Sequence, residues 1–410
     1  MSGASPPKPV VTGVGIVTPA GRGCEPNWAA FVADLGGSDP GTAAADPVLD
    51  GLPWRYSCRV PDYDPQAAVG ASRALRFDRH TQFAHLAALE ALEQAGLHPA
   101  DWDRERVAVV CGTAAGGPET VAEQQRFLDT KGHDHVSPYL LPRCLPNMAA
   151  GALAIELGAR GPCLSTVASC ASGSAAVGVA AMLIRSGACD IALAGAADAA
   201  ITPLYVTGFG RMGALAEDGR CHPFDSARAG FVVGEGAAVL VVESRRHALG
   251  RGARPLARVT GYGATCDAHH VVAPDPTGAG AATAIRGALR AAGAARQDVD
   301  CVQAHGTGTQ GSDSAEATAI HSALGSDCPV TSHKALTGHT LGAAGAVSAA
   351  LTVLSLCRGI IPPVAGLRTP DPDLRLRLVR RPTRPPRLEL ALSQTFGFGG
   401  HNAVLALASP

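Results

Sequence analysis

Two hydrophobic patterns alternate along this chain. Helical spacing of apolar residues predicts a helix over 83–96 that ends at a glycine, and another over 342–358 that is apolar almost all round and therefore buried. A third helix is expected over 174–185. Short, continuous apolar runs predict buried strands at 107–111, 191–194, 237–243 and 299–302. Covered strands that alternate with helices indicate an α/β fold.

Three polar stretches separate these elements. A basic, polar connection at 244–255 is a candidate boundary between two parts of the chain. Residues 39–52 are rich in Gly, Asp and Pro, and residues 362–386 are broken by prolines and arginines. Both of these stretches are expected to lie on the surface.

Composition excludes several classes of protein. Lys and Arg number 34 against 35 Asp and Glu, so no global field points to nucleic acid or to a membrane surface. No apolar run reaches the roughly 18 residues of a membrane-spanning helix, and the N-terminus lacks the pattern of a signal peptide. Twelve scattered cysteines without a Cys-x-x-Cys pair argue against a disulfide framework and against zinc. We therefore expect a reduced, soluble, cytoplasmic protein without a bound metal.

Cys170 stands out from the other cysteines, most of which are expected to be buried, inert residues. It lies in the run Thr-Val-Ala-Ser-Cys-Ala-Ser-Gly at 166–173, directly before a predicted helix. Small neighbours allow a substrate to approach the sulfur, and the positive end of a helix dipole favours the thiolate. A thiolate attacks a thioester and later leaves as one, so the position suits covalent acyl transfer.

Three further motifs supply groups that could act with this sulfur. His305 opens a His-Gly-Thr-Gly-Thr run, Lys334 precedes His339 by five residues, and a Phe-Gly-Phe-Gly-Gly turn lies at 396–400. One thiol, two imidazoles and a lysine are the parts of a covalent site that forms carbon–carbon bonds.

In order and spacing, these motifs resemble those of the β-ketoacyl-acyl-carrier-protein synthases of the elongating, decarboxylating type. The resemblance extends from Val10 to Ala403. It implies a thiolase-like fold, an αβαβα stack of two similar halves. Here residues 1–254 would carry the nucleophilic cysteine, and residues 255–410 would carry the two histidines and the lysine.

The resemblance also implies a role for each site residue. Cys170 would hold the acyl group, while His305 and His339 would stabilise the enolate formed when a malonyl group loses carbon dioxide. A buried lysine needs a partner, and Glu316 matches the partner carboxylate of Lys334. The family uses the residue at Phe398 as a gate, and its backbone N–H together with that of the cysteine as the oxyanion hole.

The implied substrate arm is the phosphopantetheine of an acyl-carrier protein, with no cofactor bound by the enzyme itself. Thr307 and Thr309 match the hydroxyls that hold this arm, whereas Val272 stands where the family has a third threonine. Ala115 aligns with a bulky residue that limits the acyl pocket of fatty-acid enzymes, so a roomier pocket is expected. His270 and its neighbour His269 are candidates for a role at the entrance rather than in catalysis.

The expected partners are a carrier protein and a second subunit. Family members pair through central strands, and the apolar run at 191–194 is the candidate here. The mate is either an identical chain or a homologue of the chain-length-factor type. Arg73 and Arg76 fall where the family places basic residues that contact the carrier, with Arg126 and Arg143 as secondary candidates.

Alternative functions are separated by specific residues. Chain-length-factor proteins lack the cysteine, thiolases use a second cysteine near the C-terminus, and starter synthases use a Cys-His-Asn set. The Cys-His-His pattern therefore favours a ketosynthase. Ala115, Val272 and the His-Gly-Thr-Gly-Thr run favour a type II polyketide system, with primary fatty-acid elongation as the alternative.

Overall fold

The computed structural model describes residues 7–410, and its strands within that range number fifteen. They are β1 (Pro9–Thr18), β2 (Gly21–Arg22), β3 (Ala44–Ala45), β4 (Tyr56–Cys58), β5 (Val107–Gly112), β6 (Cys163–Leu164), β7 (Ile191–Asp198), β8 (Val233–Gly234), β9 (Gly236–Ser244), β10 (Ala257–Cys266), β11 (Cys301–Gln303), β12 (Pro329–Thr331), β13 (Arg377–Leu378), β14 (Leu390–Gly397) and β15 (His401–Ala408).

The same range contains fourteen α-helices. They are α1 (Cys24–Phe31), α2 (Pro65–Val69), α3 (Ala71–Arg76), α4 (Arg79–Ala95), α5 (Pro118–Lys131), α6 (Leu140–Cys144), α7 (Met148–Leu157), α8 (Ser172–Arg185), α9 (Pro203–Arg211), α10 (Arg245–Gly250), α11 (Ala279–Ala292), α12 (Gln310–Leu324), α13 (Lys334–Thr337) and α14 (Ala343–Arg358). None of them combines the length and the apolar character that crossing a bilayer requires.

The main sheet consists of two series of strands that meet at β1 and β10. Outward from β1 the order is β9, β7, β5 and β6, and outward from β10 it is β15, β14, β11, β12 and β13. Counted outward from β1 or from β10, the first two strand pairs of each series are antiparallel and the third pair is parallel. The two series are joined where β1 pairs with β10, antiparallel, through Val10–Arg258 and Val11–Ala257. The repeated order is that of two similar halves joined at one seam.

Glycines make the same helix–strand contact in both halves. A Cβ added to Gly13 would lie 1.9 Å from a carbonyl oxygen of α4, and one added to Gly261 would lie 2.1 Å from a carbonyl oxygen of α11. Gly15 and Gly263 repeat the contact one turn away on the same two helices. Only glycine permits such close approach. The Val-Thr-Gly-x-Gly runs at 11–15 and 259–263 are the trace of this repeat in the sequence.

Helices cover both series and also fill the space between them. Helices α4 and α7 pack on the first series, α11 and α12 cover the second, and α8 and α14 contact each other in the centre. Separate hydrophobic cores lie under each outer layer, and a third surrounds α8 and α14. This αβαβα stack confirms the predicted fold class. The division into 1–254 and 255–410 stays a prediction.

The predicted elements correspond to β5, β7, β9, β11, α4, α8 and α14, with shifts of a few residues at their ends. The strand expected at 299–302 begins at Cys301, because residues 296–298 form a 3-10 turn and the Asp300 carboxylate accepts the backbone N–H groups of Glu389 and Leu390. The connection at 244–255 contains α10, which is capped by the side chain of Ser244.

The two predicted surface segments are partly buried. Within 39–52 a 3-10 turn places Leu49 fully inside. Within 362–386 the prediction was wrong for residues 362–367, which are buried, and for Leu374 and Val379, which anchor the exposed remainder. The apolar residues between the prolines favour this burial, whereas the prolines alone had indicated a surface segment.

Candidate active site

Cys170 lies in the first half of the chain, in the bend that directly precedes α8. Ser169 before it adopts a left-handed φ of 52°, a conformation that non-glycine residues rarely take. The hydroxyl of Ser172 accepts the N–H of Ala168 at 2.9 Å and lies 2.7 Å from the carbonyl oxygen of Ser169. These contacts hold the bend, which leaves the cysteine at the floor of a cavity with only 8% of its surface exposed.

His339 contacts the sulfur directly, with Nε2 at 3.2 Å from Cys170 Sγ. Its other ring nitrogen accepts the N–H of Leu341 at 3.3 Å, so in the neutral ring the proton resides on Nε2 and points at the sulfur. The backbone of His339 is fixed on both sides, since its N–H donates to Val232 and its carbonyl accepts from Gly234. The second half of the chain thus places a fixed hydrogen-bond donor beside the Cys170 sulfur.

His305 is held by Lys334. The Lys334 ammonium donates to the His305 carbonyl, and its Nζ lies 3.4 Å from His305 Nδ1. Because an ammonium only donates, Nδ1 accepts and Nε2 carries the ring proton. The rings of His305 and His339 are 5.4 Å apart, centre to centre. Two neutral imidazoles therefore present N–H donors into one small volume.

Glu316 does not form an ion pair with Lys334, so that part of the expectation was wrong. Among residues 7–410 no carboxylate oxygen lies within the 4.0 Å of an ion pair around Lys334 Nζ. Glu316 instead accepts the N–H groups of His305 and Gly306, each at 2.7 Å, and the side chain of Gln394 at 2.6 Å. It shapes the turn that carries His305 and acts on Lys334 through its charge at longer range.

Burial dominates the electrostatics of the site. It raises the pKa of the Cys170 thiol to about 11, against the opposing effects of the Ser169 hydroxyl and the Lys334 charge. The resting sulfur therefore keeps its proton at neutral pH, and the thiolate expected from the helix dipole is not the resting state. Burial and the charge of Lys334 also hold the pKa of both His305 and His339 well below the ordinary range. Both rings are consequently neutral.

A cavity of about 250 Å³ opens on these groups. Thr307, Thr309, Val272 and Phe398 all line it, while their roles stay predictions. The hydroxyls of the two threonines are 2.9 Å apart. The Phe398 ring lies 6.2 Å from that of Phe209, centre to centre, and is followed by Gly399 and Gly400, both of which have positive φ.

Two predicted substrate residues do not reach this cavity. Ala115 is half-buried outside its lining, and its N–H donates to the Asp198 carboxylate at 3.0 Å. His270 is exposed, and its Nδ1 accepts the N–H groups of Val272 and Ala273, both at 3.0 Å. His270 therefore shapes the stretch that lines the cavity mouth without facing the sulfur.

Two buried residues beside the site escaped the sequence reasoning. Asp198 ends β7 and accepts the Thr113 hydroxyl and the N–H groups of 114 and 115, so it fixes the loop that follows β5. His333, next to Lys334, bonds Thr337 and Ser348 through its two ring nitrogens at 2.9 and 3.0 Å. A lone acid at the end of an apolar strand and a histidine beside Lys334 were the available signals.

The sulfur and the two histidines also form a possible metal-ligand set, since one ligand atom from each lies within 4.8 Å of the others. Thiolate and imidazole are the ligands that zinc prefers. The Lys334 charge beside His305 opposes a divalent cation at this point. The expectation of no bound metal stays a prediction.

Known proteins match this chain both in sequence and in structure. Residues 8–248 match the family model "Beta-ketoacyl synthase, N-terminal domain", and residues 256–368 match the corresponding C-terminal domain. A "3-oxoacyl-[acyl-carrier-protein] synthase 2" from Synechocystis sp. is 39% identical over 97% of both chains. The same-named protein of Staphylococcus aureus strain N315 is 36% identical, again over 97% of both chains.

A solved structure described as the ishigamide ketosynthase/chain length factor superposes with a TM-score of 0.92 at 33% identity, over 99% of this chain and 100% of the other. A type II PKS acyl-carrier protein in complex with its ketosynthase gives a TM-score of 0.88 at 30% identity, over 99% and 100% of the two chains. Since both halves match one family and the relatives match along almost their whole length, this chain belongs to the β-ketoacyl synthase family.

Proposed function

We propose that the protein is a ketosynthase that joins an acyl group on Cys170 to a malonyl unit on an acyl-carrier protein, in type II polyketide biosynthesis. The observation that carries the proposal is the 3.2 Å contact between His339 Nε2 and Cys170 Sγ beside a second neutral histidine. Relatives named 3-oxoacyl-[acyl-carrier-protein] synthase support it.

The first step is acyl transfer. The Cys170 sulfur bonds to the carbonyl carbon of the carrier thioester, the carrier's C–S bond breaks, and the proton of the thiol ends on the departing sulfur. Backbone N–H groups of Cys170 and Phe398 would stabilise the tetrahedral oxyanion. The two chain segments are in contact, because a Cβ on Gly397 would lie 3.0 Å from the Cys170 nitrogen. The phenylalanine at that turn is the proposed gate.

The second step is decarboxylative condensation. The malonyl C–CO₂ bond breaks, its electron pair forms an enolate, and the enolate carbon attacks the acyl carbonyl while Cys170 leaves and regains a proton. The N–H groups of His305 and His339 face the volume where the enolate oxygen would develop charge. Thr307 and Thr309 offer hydroxyls to the phosphopantetheine arm.

Pathway choice depends on residues that shape the substrate volume. Val272 lines the cavity where the family has a threonine. Ala115, which the family resemblance aligns with a bulky residue of fatty-acid enzymes, lies outside the lining of this cavity. Type II polyketide ketosynthases are among the similar solved structures, which supports polyketide extension. Primary fatty-acid elongation is the alternative, because the curated relatives carry that enzyme's name.

Mass spectrometry of the group retained on Cys170 separates these pathways. The protein is incubated with a panel of acyl-carrier proteins loaded with saturated, unsaturated or β-keto chains. Preferential retention of the unsaturated or β-keto chains is the expected result. Retention of saturated chains alone would indicate fatty-acid elongation, and no retention from any carrier would refute the ketosynthase proposal.

A second subunit is also proposed, on a surface different from the one expected. The run at 191–194 lies inside β7, paired on both sides by β9 and β5, so it cannot face another chain. The free edge of this series is β6, and exposed apolar side chains surround it: Leu141, Leu145, Ile155, Leu164 and Val167. Such a patch is typical of an interface.

Sedimentation tests this interface. We expect the wild-type protein to sediment as a dimer, alone or with a chain-length-factor-like homologue. Ile155→Glu with Val167→Glu should produce monomers, because both side chains are more than half exposed in the single chain. Leu249→Glu, on α10, is the control and should leave the dimer intact. A stable, active wild-type monomer would contradict the proposal.

The carrier is proposed to dock near Arg73 and Arg76 of α3. Both arginines are partly exposed and share the carboxylate of Glu156, at 2.6 and 3.7 Å. Arg126 and Arg143 line a separate crevice and are secondary candidates.

Reversing the charge of Arg73 and Arg76 together should raise KM for carrier-bound substrate by about tenfold, because rim charges govern association. Turnover of a small pantetheine thioester should hardly change. Glu156→Gln controls for the broken ion pairs. An equal loss with both substrates would show that these arginines support the fold instead.

A further inference from the structure

An arginine-rich segment at 375–387 is the most strongly charged stretch of the described chain. It contains six arginines and no acidic residue, whereas the whole chain has a net charge of −1. All six are exposed: Arg375, Arg377, Arg380, Arg381, Arg384 and Arg387. None of them lines the cavity at Cys170, so the catalytic site does not explain them.

The backbone of this segment is fixed. Leu374 and Val379 are buried beneath it, and Thr383 exchanges two backbone hydrogen bonds with Ile361, at 2.8 and 2.9 Å. Prolines at 382, 385 and 386 further restrict the chain. The arginines therefore project from a rigid support and not from a flexible tail.

Four of the guanidinium groups are held in place by backbone carbonyls of neighbouring elements. Arg377 donates to the carbonyl oxygen of residue 327 at 3.1 Å, and Arg380 donates to that of residue 368 at 3.4 Å. Arg384 donates to the carbonyl oxygen of residue 358 at 3.2 Å, and Arg387 donates to that of residue 298 at 3.4 Å. A guanidinium has several N–H donors in a planar fork. One tether orients the group and leaves other donors free, which lowers the entropic cost of binding a partner.

Most of the charge is not neutralised within the chain. Over residues 7–410, no carboxylate oxygen lies within the 4.0 Å of an ion pair from Arg375, Arg377, Arg380 or Arg384. Arg381 has only Asp34, at 3.7 Å, while its side chain is 83% exposed. Oriented, unpaired guanidinium groups are suited to bidentate contacts with carboxylates.

We propose that this segment is a docking surface for a carboxylate-rich face of a partner protein. The segment contains no aromatic residue on which bases could stack, and the chain as a whole is not basic, which disfavours nucleic acid. Its leucines are half-buried against the protein and do not project as anchors for a bilayer. An acidic protein surface remains the class that matches fixed, unpaired arginines.

The test compares binding of three fluorescent probes to the full-length protein at low and moderate salt. The probes are poly-L-glutamate, vesicles that contain phosphatidylserine, and a short DNA duplex. Arg380→Glu/Arg381→Glu/Arg384→Glu should weaken poly-L-glutamate binding at least tenfold, roughly, since three contacts become repulsive. Moderate salt should also weaken the binding of poly-L-glutamate to the wild-type protein, because salt screens the charges.

A matched control reverses the same number of charges elsewhere, at the exposed Arg104, Arg286 and Arg290. The control should bind poly-L-glutamate like wild type, and both triple variants should keep their turnover of a small pantetheine thioester. Equal binding by the two variants, or a lack of wild-type binding, would overturn the proposal. Tighter binding of wild type to the vesicles or the duplex would overturn it in favour of that class.

Discussion

Cys170→Ala is expected to abolish covalent acyl loading and to lower condensation by a factor on the order of 10⁶, the loss found when a covalent nucleophile is removed. The sulfur is the proposed nucleophile, since His339 Nε2 lies 3.2 Å from it and the cavity opens onto it. Intact-protein mass spectrometry after incubation with an acyl-carrier thioester measures loading, and detection of the β-keto product measures condensation.

Cys357→Ala is the control for this experiment, because Cys357 is exposed and far from the cavity lining. It should load an acyl group like wild type. Circular dichroism would verify that Cys170→Ala folds, as a thiol-to-methyl change at a small-residue bend should allow. Covalent loading of the Cys170→Ala protein at another residue would remove Cys170 from the mechanism.

His305→Ala and His339→Ala are each expected to lower condensation by about 10² to 10³, the usual cost of losing a fixed donor to a developing oxyanion. Acyl transfer to Cys170 should persist in part, since the sulfur itself remains. Separate assays of loading and of carbon dioxide release distinguish the two steps. His98→Ala, at an exposed site, is the control. Full condensation in either active-site variant would exclude that histidine from the reaction.

The charge state of these rings gives a second readout. The pKa of each is held well below its ordinary value, so protonation occurs only in acid and both remain neutral donors at physiological pH. Condensation should therefore show no inflection attributable to them between about pH 6 and 8, where ordinary histidines titrate. His339→Gln, which keeps an N–H donor, should retain more activity than His339→Ala. A rate that follows imidazolium formation would contradict this assignment.

The fold class, and the proximity of Cys170 to the two histidines, were predictable because they depend on local patterns. Apolar runs and helical spacing located β5, β7 and α14, and motif order located Cys170 and both histidines. The internal repeat was expected from the family resemblance and not from the residues themselves, because its trace is a five-residue Val-Thr-Gly-x-Gly pattern whose meaning lies in the contact of each glycine with a helix carbonyl.

The predictions that failed concerned residues whose contacts are set by the three-dimensional fold. Glu316 was matched to Lys334 by motif, yet it bonds the backbone of its own turn, which only the packed structure reveals. The apolar run inside β7 could belong to an interface or to a sheet interior, and sequence does not distinguish them. Burial likewise decides the protonation of Cys170 against the helix dipole, and burial is a property of the whole fold.

The raised pKa of Cys170 has a consequence for oxidative damage. Peroxide attacks the thiolate, and oxidation of a cysteine to sulfenic acid and beyond begins from that form. A buried thiol that keeps its proton at neutral pH is a poor target for peroxide. Hydrogen peroxide should therefore inactivate the unloaded protein slowly, because the burial that keeps the Cys170 thiol protonated also protects it from oxidation.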